Sequence, residues 1–251
     1  MVVESYREMR RRGTRDFAWS GAANPGRRAR LWLMGGMIRA QRSGPVSLVA
    51  VTPYLLVANP QTGARTLKDF VSLVKARPGK FNYGSAGNGT TTHLAMEMFK
   101  DAAQIDMVHV PYKGNAQTDL AVLGNEVQAV FGSMPALLAH VKGGKLVPLA
   151  VGTLARSPAL PEVATVAEQG FPGFEAALWL GVFTPTGTSA PIVNRLAREL
   201  GTIAATAEFK AAMDMNGADA VANAPEQFAK MVGDEAARYS RVVKALGIKL
   251  D

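Results

Sequence analysis

A glycine-rich segment between a strand pattern and a helix pattern is the part of this sequence best suited to chemistry. Gly84 to Thr90 contains three glycines together with a serine, an asparagine and a threonine. Glycine lets the backbone approach a ligand closely, and a helix start offers amide donors at the positive end of its dipole. We therefore predict a cradle for a carboxylate or phosphate, formed by Ser85, Ala86, Gly87, Asn88, Gly89, Thr90 and Thr91.

Better-known glycine motifs are excluded by their register. A P-loop needs Gly-Lys-Ser/Thr, whereas Gly89 is followed by two threonines. The dinucleotide fingerprint needs G-x-G-x-x-G, but the glycines here follow the pattern G-x-x-G-x-G. A nucleophile elbow needs a glycine two residues before the serine, where this chain has Tyr83. A plain connecting loop remains the alternative to an anion cradle.

Further polar residues stand at the ends of later strand patterns. Tyr112 and Lys113 follow one such strand, and Ser133 follows the next. Lys113 offers a positive charge to an anionic ligand, and the alternative is a solvated loop lysine. We add these three residues to the predicted ligand-binding set.

Catalytic and metal-binding groups are sparse. His93 and Glu97 lie four residues apart on a predicted helix, but no third ligand accompanies them, so no metal site is predicted. The absence of cysteine excludes a thiolate nucleophile and a Cys-based zinc site. Neither paired carboxylates nor an activated serine stands out. We therefore predict binding without turnover, with no catalytic residue and no cofactor.

The positive charge of the chain is confined to one end. The formal net charge is +8, and residues 1–44 contain ten arginines, no lysine and three acidic residues. Residues 45–251, with 18 basic and 17 acidic residues, are nearly neutral. A basic arm for nucleic acid is one interpretation. The other, which we favour, is a segment that does not belong to the fold.

Strand and helix patterns alternate from Pro45 onward, beginning with two strand patterns, Val46–Val51 and Tyr54–Ala58, that Pro53 separates. Thr66 begins a helix, with Asp69 three residues later and apolar side chains at i, i+3, i+4 and i+7. Three strand–helix units follow, and their loops hold the polar residues described above. Short loops between alternating strands and helices indicate an α/β fold with a parallel sheet. In such a sheet these loops emerge on one edge, where open α/β folds bind ligands.

Several motifs resemble those of a known family, in order and at its spacing. They are Asn82–Thr90 with His93-Leu94, Val108–Gly114, Ser157–Val163 with Thr165–Glu168, Pro185–Thr188, and Pro225–Phe228. This pattern resembles the Bug-type substrate-binding receptors of tripartite tricarboxylate transporters, over about residues 45–251. The resemblance implies a two-lobed periplasmic-binding-protein-like fold of type II, with parallel-rich sheets flanked by helices. It also implies capture of a small organic carboxylate, in the periplasm, for membrane transporter subunits.

The family pattern also suggests how the chain is divided. We expect residues 57–179 to form the second lobe, and residues 45–56 and 180–251 to form what is present of the first. Gly132-Ser133 stands where some members have Asp-Asn, which argues against an amino-acid ligand because the acidic partner for an ammonium is missing. We further expect a monomer that binds no nucleic acid.

Residues 1–44 depart from the family pattern. They show neither its first strand nor its Pro-x-Pro-x-Gly-Gly-type loop, and they carry no export signal, which leaves cytoplasmic retention open. We hypothesise a truncated or out-of-frame segment joined near Gly44-Pro45, leaving the first lobe incomplete and ligand capture impaired. Two rival functions remain at this stage: the effector-binding domain of a transcriptional regulator, and an enzyme on the same scaffold.

Overall fold

The computed structural model describes residues 32–34, 43–215, 217–245 and 247 of the chain. Eight strands run through this part: β1 (Trp32–Met34), β2 (Ser43–Ala58), β3 (Asn82–Ser85), β4 (Val108–Pro111), β5 (Ala129–Ser133), β6 (Val147–Val151), β7 (Ala177–Pro185) and β8 (Asp219–Ala220). Seven α-helices accompany them: α1 (Leu67–Ala76), α2 (Thr91–Ala103), α3 (Asn115–Leu123), α4 (Met134–Lys142), α5 (Ala190–Ala205), α6 (Ala207–Met215) and α7 (Pro225–Ala245).

Helix α1 begins where the sequence predicts it. Thr66 is its N-cap, and its hydroxyl accepts the Asp69 amide at 3.1 Å. The Asp69 carboxylate in turn accepts the Thr66 amide at 3.1 Å, which completes a capping box. The predicted helix start is therefore confirmed, and the buried side chains on its inner face are Leu67, Phe70 and Val74.

Strand β2 is a single run of 16 residues, whereas the sequence predicts two strands separated by Pro53. Its first part, residues 43–53, pairs antiparallel with β7, and its last part, residues 54–58, pairs with β5 and β6. Pro53 lies at this change of partners, where a residue without an amide donor disturbs the ladder least. One strand therefore belongs to two regions of sheet.

The second sheet region has the predicted parallel core. Strand β3 pairs parallel with both β4 and β5, and α2 and α3 connect these strands. Because β2 runs antiparallel to β5 and β6, the sheet is mixed, with antiparallel pairs beside the parallel ones that the strand–helix alternation predicts. The loops after β3, β4 and β5 still emerge on one edge, as predicted.

The first sheet region contains β7, β2 and the short strands β1 and β8. Strand β1 pairs antiparallel with β7, and β8 pairs antiparallel with β2. Residues 32–34 and 43–44, which belong to the Arg-rich segment, are thus paired with this region. The other residues of the segment lie outside the described part of the chain.

Three apolar clusters hold helices against the sheet. Leu56 lies in the cluster with α1 and α2, whereas Leu55 and Val57 lie in the cluster with α3 and α4. Alternate side chains of a strand point to opposite faces, so helices cover both faces of the second region. A third cluster packs Phe228 of α7 against the first region, and Trp179 is buried there.

Next to the boundary between the two regions, the backbone at Gly152 lies tightly between Tyr54 and Ala176. Its amide donates to the Tyr54 carbonyl at 2.7 Å, and its own carbonyl accepts the Ala176 amide at 2.7 Å. A Cβ at Gly152 would lie 2.4 Å from the Ala176 carbonyl oxygen, so only glycine fits here. These two hydrogen bonds place Ala176, the residue before β7, close to Tyr54, where β2 changes partners.

Candidate functional site

The loop after β3 is held by hydrogen bonds within itself. The buried Ser85 hydroxyl accepts the Gly87 amide at 3.2 Å and donates to the Gly87 carbonyl at 3.1 Å. The same carbonyl accepts the Thr90 hydroxyl at 2.7 Å and the Thr90 amide at 3.3 Å. Gly87 and Gly89 have φ of 132° and 69°, which glycine adopts without strain. The loop is therefore a fixed structure.

Two further loop amides donate to side chains of the helix that follows. The Ala86 amide donates to Thr92 Oγ1 at 3.1 Å, and the Gly89 amide donates to His93 Nδ1 at 3.0 Å. From the sequence we predict that these amides donate to a ligand. Four of them, at residues 86, 87, 89 and 90, instead donate to acceptors of the protein.

The first turn of α2 carries three further amides next to the loop. The first intrahelical bond is made by the Leu94 amide to the Thr90 carbonyl at 3.0 Å. The amides of residues 91–93 precede it and have no acceptor one turn back in their own helix. The N-cap residue Thr90 makes no side-chain cap hydrogen bond. Three amides at the positive end of a 13-residue helix therefore lie directly beside the loop.

Thr91 is tied to the strand shared by both sheet regions. Its Oγ1 lies 2.5 Å from the phenol oxygen of Tyr54, the residue at which β2 changes partners. Burial raises the pKa of the Tyr54 phenol above its ordinary value, so the phenol remains a hydroxyl at neutral pH. This bond fixes the start of α2 against β2.

A stack of three rings lies beneath the loop. The rings of His93 and His109 are parallel within 8°, with their centroids 3.9 Å apart, and His109 also stacks on Tyr83 at 4.9 Å. His109 Nε2 lies 2.6 Å from the Ser85 hydroxyl. Both imidazoles thus contact the loop directly, His93 through Gly89 and His109 through Ser85.

Charged residues border this stack on one side. The Tyr83 hydroxyl donates to the Glu97 carboxylate, and Lys100 lies 2.7 Å from the same carboxylate. Burial lowers the pKa of His93, and burial together with the neighbouring His93 lowers the pKa of His109 to about 4. Hydrogen bonds from Lys100 and Tyr83 outweigh burial and lower the pKa of Glu97. At neutral pH the stack is therefore uncharged, beside one ion pair.

The other predicted site residues lie at the same edge but differ in orientation. The Tyr112 amide donates to the Ser85 carbonyl at 2.9 Å, so its backbone adjoins the loop, while its phenol lies 3.3 Å from Glu126. Lys113 is exposed, and its amide donates to the side chain of Gln117. Ser133 is paired with Tyr54 across β2 and β5, and is half-buried.

Two cavities lie away from this edge. One, of about 420 Å³, lies between α2, the turn at residues 170–174 and α7. The other, of about 560 Å³, lies between the end of α1, α2 and residues 104–106. Neither is lined by residues 84–91, so the predicted ligand edge belongs to neither. Among the described residues, no cluster of three or more His, Asp or Glu could hold a metal ion.

Sequence reasoning missed the ring stack and the Tyr54–Thr91 bond. Both histidines of the stack, His93 and His109, lie in the sequence motifs, and His93 is also weighed as a metal ligand, but neither is predicted to contact the loop. A usable signal existed, because His93, Glu97 and Lys100 follow the spacing i, i+4, i+7 of one helix face. The partners of that face come from β3 and β4, which no local pattern identifies.

A mixed sheet flanked by helices, with polar loops gathered at one edge, is an architecture that solute-binding receptors share with other α/β proteins. The family model described as the tripartite tricarboxylate transporter family receptor matches residues 39–248. The chain therefore belongs to this family, as the sequence motifs predict. It is a family of receptors, not of enzymes.

Relatives of known sequence agree with this assignment. The chain is 35% identical over 208 residues to Protein BugT of Bordetella pertussis, which covers 82% of this chain and 63% of BugT. It is 32% identical over 200 residues to a UPF0065 protein from the tcbD-tcbE intergenic region of a Pseudomonas strain, covering 79% and 60%. The chain thus spans less than two thirds of the length of these relatives.

Solved structures confirm the periplasmic-binding-protein-like fold. An R. palustris protein, Rpa4515 with adipate, superposes with a TM-score of 0.78 at 31% identity, covering 82% of this chain and 69% of that one. MatC of Rhodopseudomonas palustris with bound malate gives 0.73 at 26% identity, covering 80% and 69%. The periplasmic binding protein BugD gives 0.75 at 28% identity, covering 82% and 70%.

Proposed function

We propose that the protein captures a small organic carboxylate at the edge formed by the glycine loop and the start of α2. The observation that carries this proposal is the set of three first-turn amides at residues 91–93, which a rigid loop and the Tyr54 bond hold in place. A carboxylate suits this position because it accepts several hydrogen bonds and favours the positive end of the helix dipole.

The predicted ligand-binding set takes a modified role in this proposal. Thr91 and Ser133 contribute polar side chains near the change of partners in β2, and Lys113 contributes a positive charge at the same edge. Ser85, Gly87 and Gly89 shape the loop, because their polar groups are used within the protein. The ligand would then be bound mainly by the helix start.

Two structural neighbours support the ligand class. Rpa4515 is solved with adipate and MatC with malate, both of which are dicarboxylates. We propose a di- or tricarboxylate-like ligand for this chain, delivered to the membrane subunits of a tripartite uptake transporter. The periplasm is the proposed location, and the described part of the chain contains no helix both long and apolar enough to cross a membrane.

We also propose that residues 57–179 form one lobe, and residues 45–56 and 180–251 belong to the other. The change of partners in β2 after Pro53 supports a division close to this point. A carboxylate at the start of α2 would then lie on the second lobe, next to the strand that joins both lobes. We expect the receptor to act as a monomer and to bind no nucleic acid.

A thermal-shift screen of organic acids tests the ligand class. A ligand present at a hundredfold excess over its Kd stabilises the folded state by about 2.7 kcal/mol. For a chain of this size, the midpoint of unfolding should rise by about 5 to 10 °C. Succinate, malate, adipate and citrate are the test compounds, and the matched diamines and diamides are the controls. Equal shifts with acids and diamides would contradict carboxylate capture.

A further inference from the structure

The imidazole of His93 supports the ligand edge through a single acceptor atom. Its Nδ1 accepts the Gly89 amide at 3.0 Å, so in the neutral ring the proton resides on Nε2. The Gly89 amide therefore has its acceptor as long as Nδ1 is not protonated. His93 is also the third residue of α2, and its own amide is one of the three proposed ligand donors.

The surroundings of His93 disfavour its charged form. His109 of β4 is stacked on it at 3.9 Å, so two imidazolium rings would repel each other at contact distance. Burial disfavours the charged ring most, Lys100 adds a positive charge from the same helix, and the Glu97 carboxylate opposes both effects. Glu97, however, already accepts hydrogen bonds from Tyr83 and Lys100. The stack is thus built for uncharged rings.

We propose that His93 is a positioning residue of the ligand edge that acts only in its uncharged form, with His109 as its stacked partner, so that acidification releases the bound acid. This inference rests on the proposed function, since it concerns the same edge. A proton added at Nδ1 of His93 converts the acceptor into a donor that faces the Gly89 amide. The loop at residues 87–90 then loses its link to α2.

The predicted direction is opposite to that of simple charge attraction. A cationic histidine near an anion-binding edge should strengthen binding of a carboxylate as the pH falls. Loss of the Gly89 hydrogen bond should weaken it, because the loop no longer holds the first turn of α2. The sign of the pH dependence therefore separates a positioning role from a direct electrostatic one.

Asparagine and glutamine imitate different nitrogens of the ring. In His93→Asn the side-chain oxygen can occupy the position of Nδ1 and accept the Gly89 amide, but it does not titrate. In His109→Gln the side-chain amide can reach the Ser85 hydroxyl as Nε2 does. His140 of α4 is the third histidine of the chain and lies outside the stack, so His140→Gln is the matched control.

Binding of the acid selected by the thermal-shift screen is measured by calorimetry at pH 7.5 and pH 4.5. We expect the affinity of the wild type and of H140Q to fall at least tenfold more than that of H93N. Ionisation of the ligand itself affects all variants equally and cancels in this comparison. The Gly89 amide resonance of the ligand-free protein should shift with pH in the wild type and not in H93N. H109Q removes the stacked imidazole that disfavours a charged His93, so it should lose the Gly89 bond at a higher pH than the wild type.

The outcomes separate the two proposals. Equal pH dependence in the wild type and H93N, or stronger binding of the wild type at pH 4.5, overturns the role of His93. Failure of the wild type to bind any acid at pH 7.5 overturns the proposed function. Because the Gly89 resonance is followed without ligand, its titration tests the histidine coupling even then.

Discussion

Tyr54 and Thr91 join the strand shared by two sheet regions to the first residue of the helix at the ligand edge. Their side-chain oxygens lie 2.5 Å apart, and Tyr54 is only 2% exposed. Burial without this partner would leave a hydroxyl unsatisfied, which is costly in a protein interior. The bond therefore secures the helix start that we propose as the ligand site.

Removal of the Tyr54 hydroxyl tests this relationship. Tyr54→Phe should lower the free energy of unfolding by about 1 to 2 kcal/mol, because the bond is lost and the Thr91 hydroxyl loses its partner. Urea denaturation measures the change. Tyr112→Phe is the matched control, since its phenol contacts Glu126 at 3.3 Å on an exposed surface and should matter little. Equal effects of the two variants would show that the buried bond has no special weight.

Gly152 should not tolerate a side chain. Gly152→Ala places a Cβ 2.4 Å from the Ala176 carbonyl oxygen, and we expect a loss of about 2 to 4 kcal/mol of folding free energy. Gly201 of α5 has open space around it, so Gly201→Ala should stabilise the helix by about 0.5 to 1 kcal/mol. Thermal unfolding of both variants gives the comparison. An unchanged midpoint for G152A would mean that the backbone at this position can relax.

Asp119 of α3 should destabilise the fold at neutral pH. Burial raises the pKa of its carboxyl to about 6, from an ordinary 3.8. A raised pKa favours the neutral form in the folded state, so its stabilising effect is present below about pH 3.8 and lost as the pH rises through 6. Because Asp119 is only half-buried, we discount the shift and expect Asp119→Asn to add about 1 kcal/mol at pH 7.5.

Denaturant titrations at pH 7.5 and pH 4 check the Asp119 prediction. At pH 4 the gain should nearly vanish, since the carboxyl is then neutral in the folded protein. Asp214→Asn, at an exposed position of α6, is the matched control and should leave the free energy of unfolding unchanged at both pH values. If D119N raises the free energy of unfolding equally at both pH values, the effect does not come from the charge of the carboxylate.

The capping box of α1 should contribute measurably to stability. Thr66→Ala removes the acceptor of the Asp69 amide, and loss of an N-cap costs about 1 kcal/mol. Thr202→Ala, in the exposed interior of α5, changes the same atoms without a cap, and its effect should remain within about 0.5 kcal/mol. Chemical denaturation distinguishes the two. A smaller loss for T66A than for T202A would contradict the capping role.

Local signals in the sequence were sufficient where local contacts decide the structure. The start of α1 follows from Thr66 and Asp69, which bond to each other three residues apart. The glycine loop is also recognisable, because the backbone at positions 87 and 89 requires positive φ angles and the sequence has glycine at both. The prediction that Pro53 separates two strands is wrong. Pro53 marks a change of pairing partners within one strand, and that change depends on distant parts of the chain.

The use of the loop amides could not be predicted for a similar reason. Thr92 and His93 follow the loop closely in sequence, but whether their side chains accept the Ala86 and Gly89 amides depends on how the helix leaves the loop. The ring stack depends on β3 and β4 being neighbours, with Tyr83 opposite His109. Pairing of distant strands is not encoded in any short window. The sequence therefore indicates which polar groups lie at the edge, but not which of them bond to one another.

The continuity of β2 restricts how this chain can change in length. Side chains along a strand alternate between faces, so one inserted or deleted residue reverses every face beyond it. In β2 such a change between residues 50 and 53, where the pairing with β7 has no bulge, would either shift that pairing or exchange Leu55 and Leu56 between opposite cores. Insertions and deletions in relatives should therefore fall in the loops and leave these positions free of gaps.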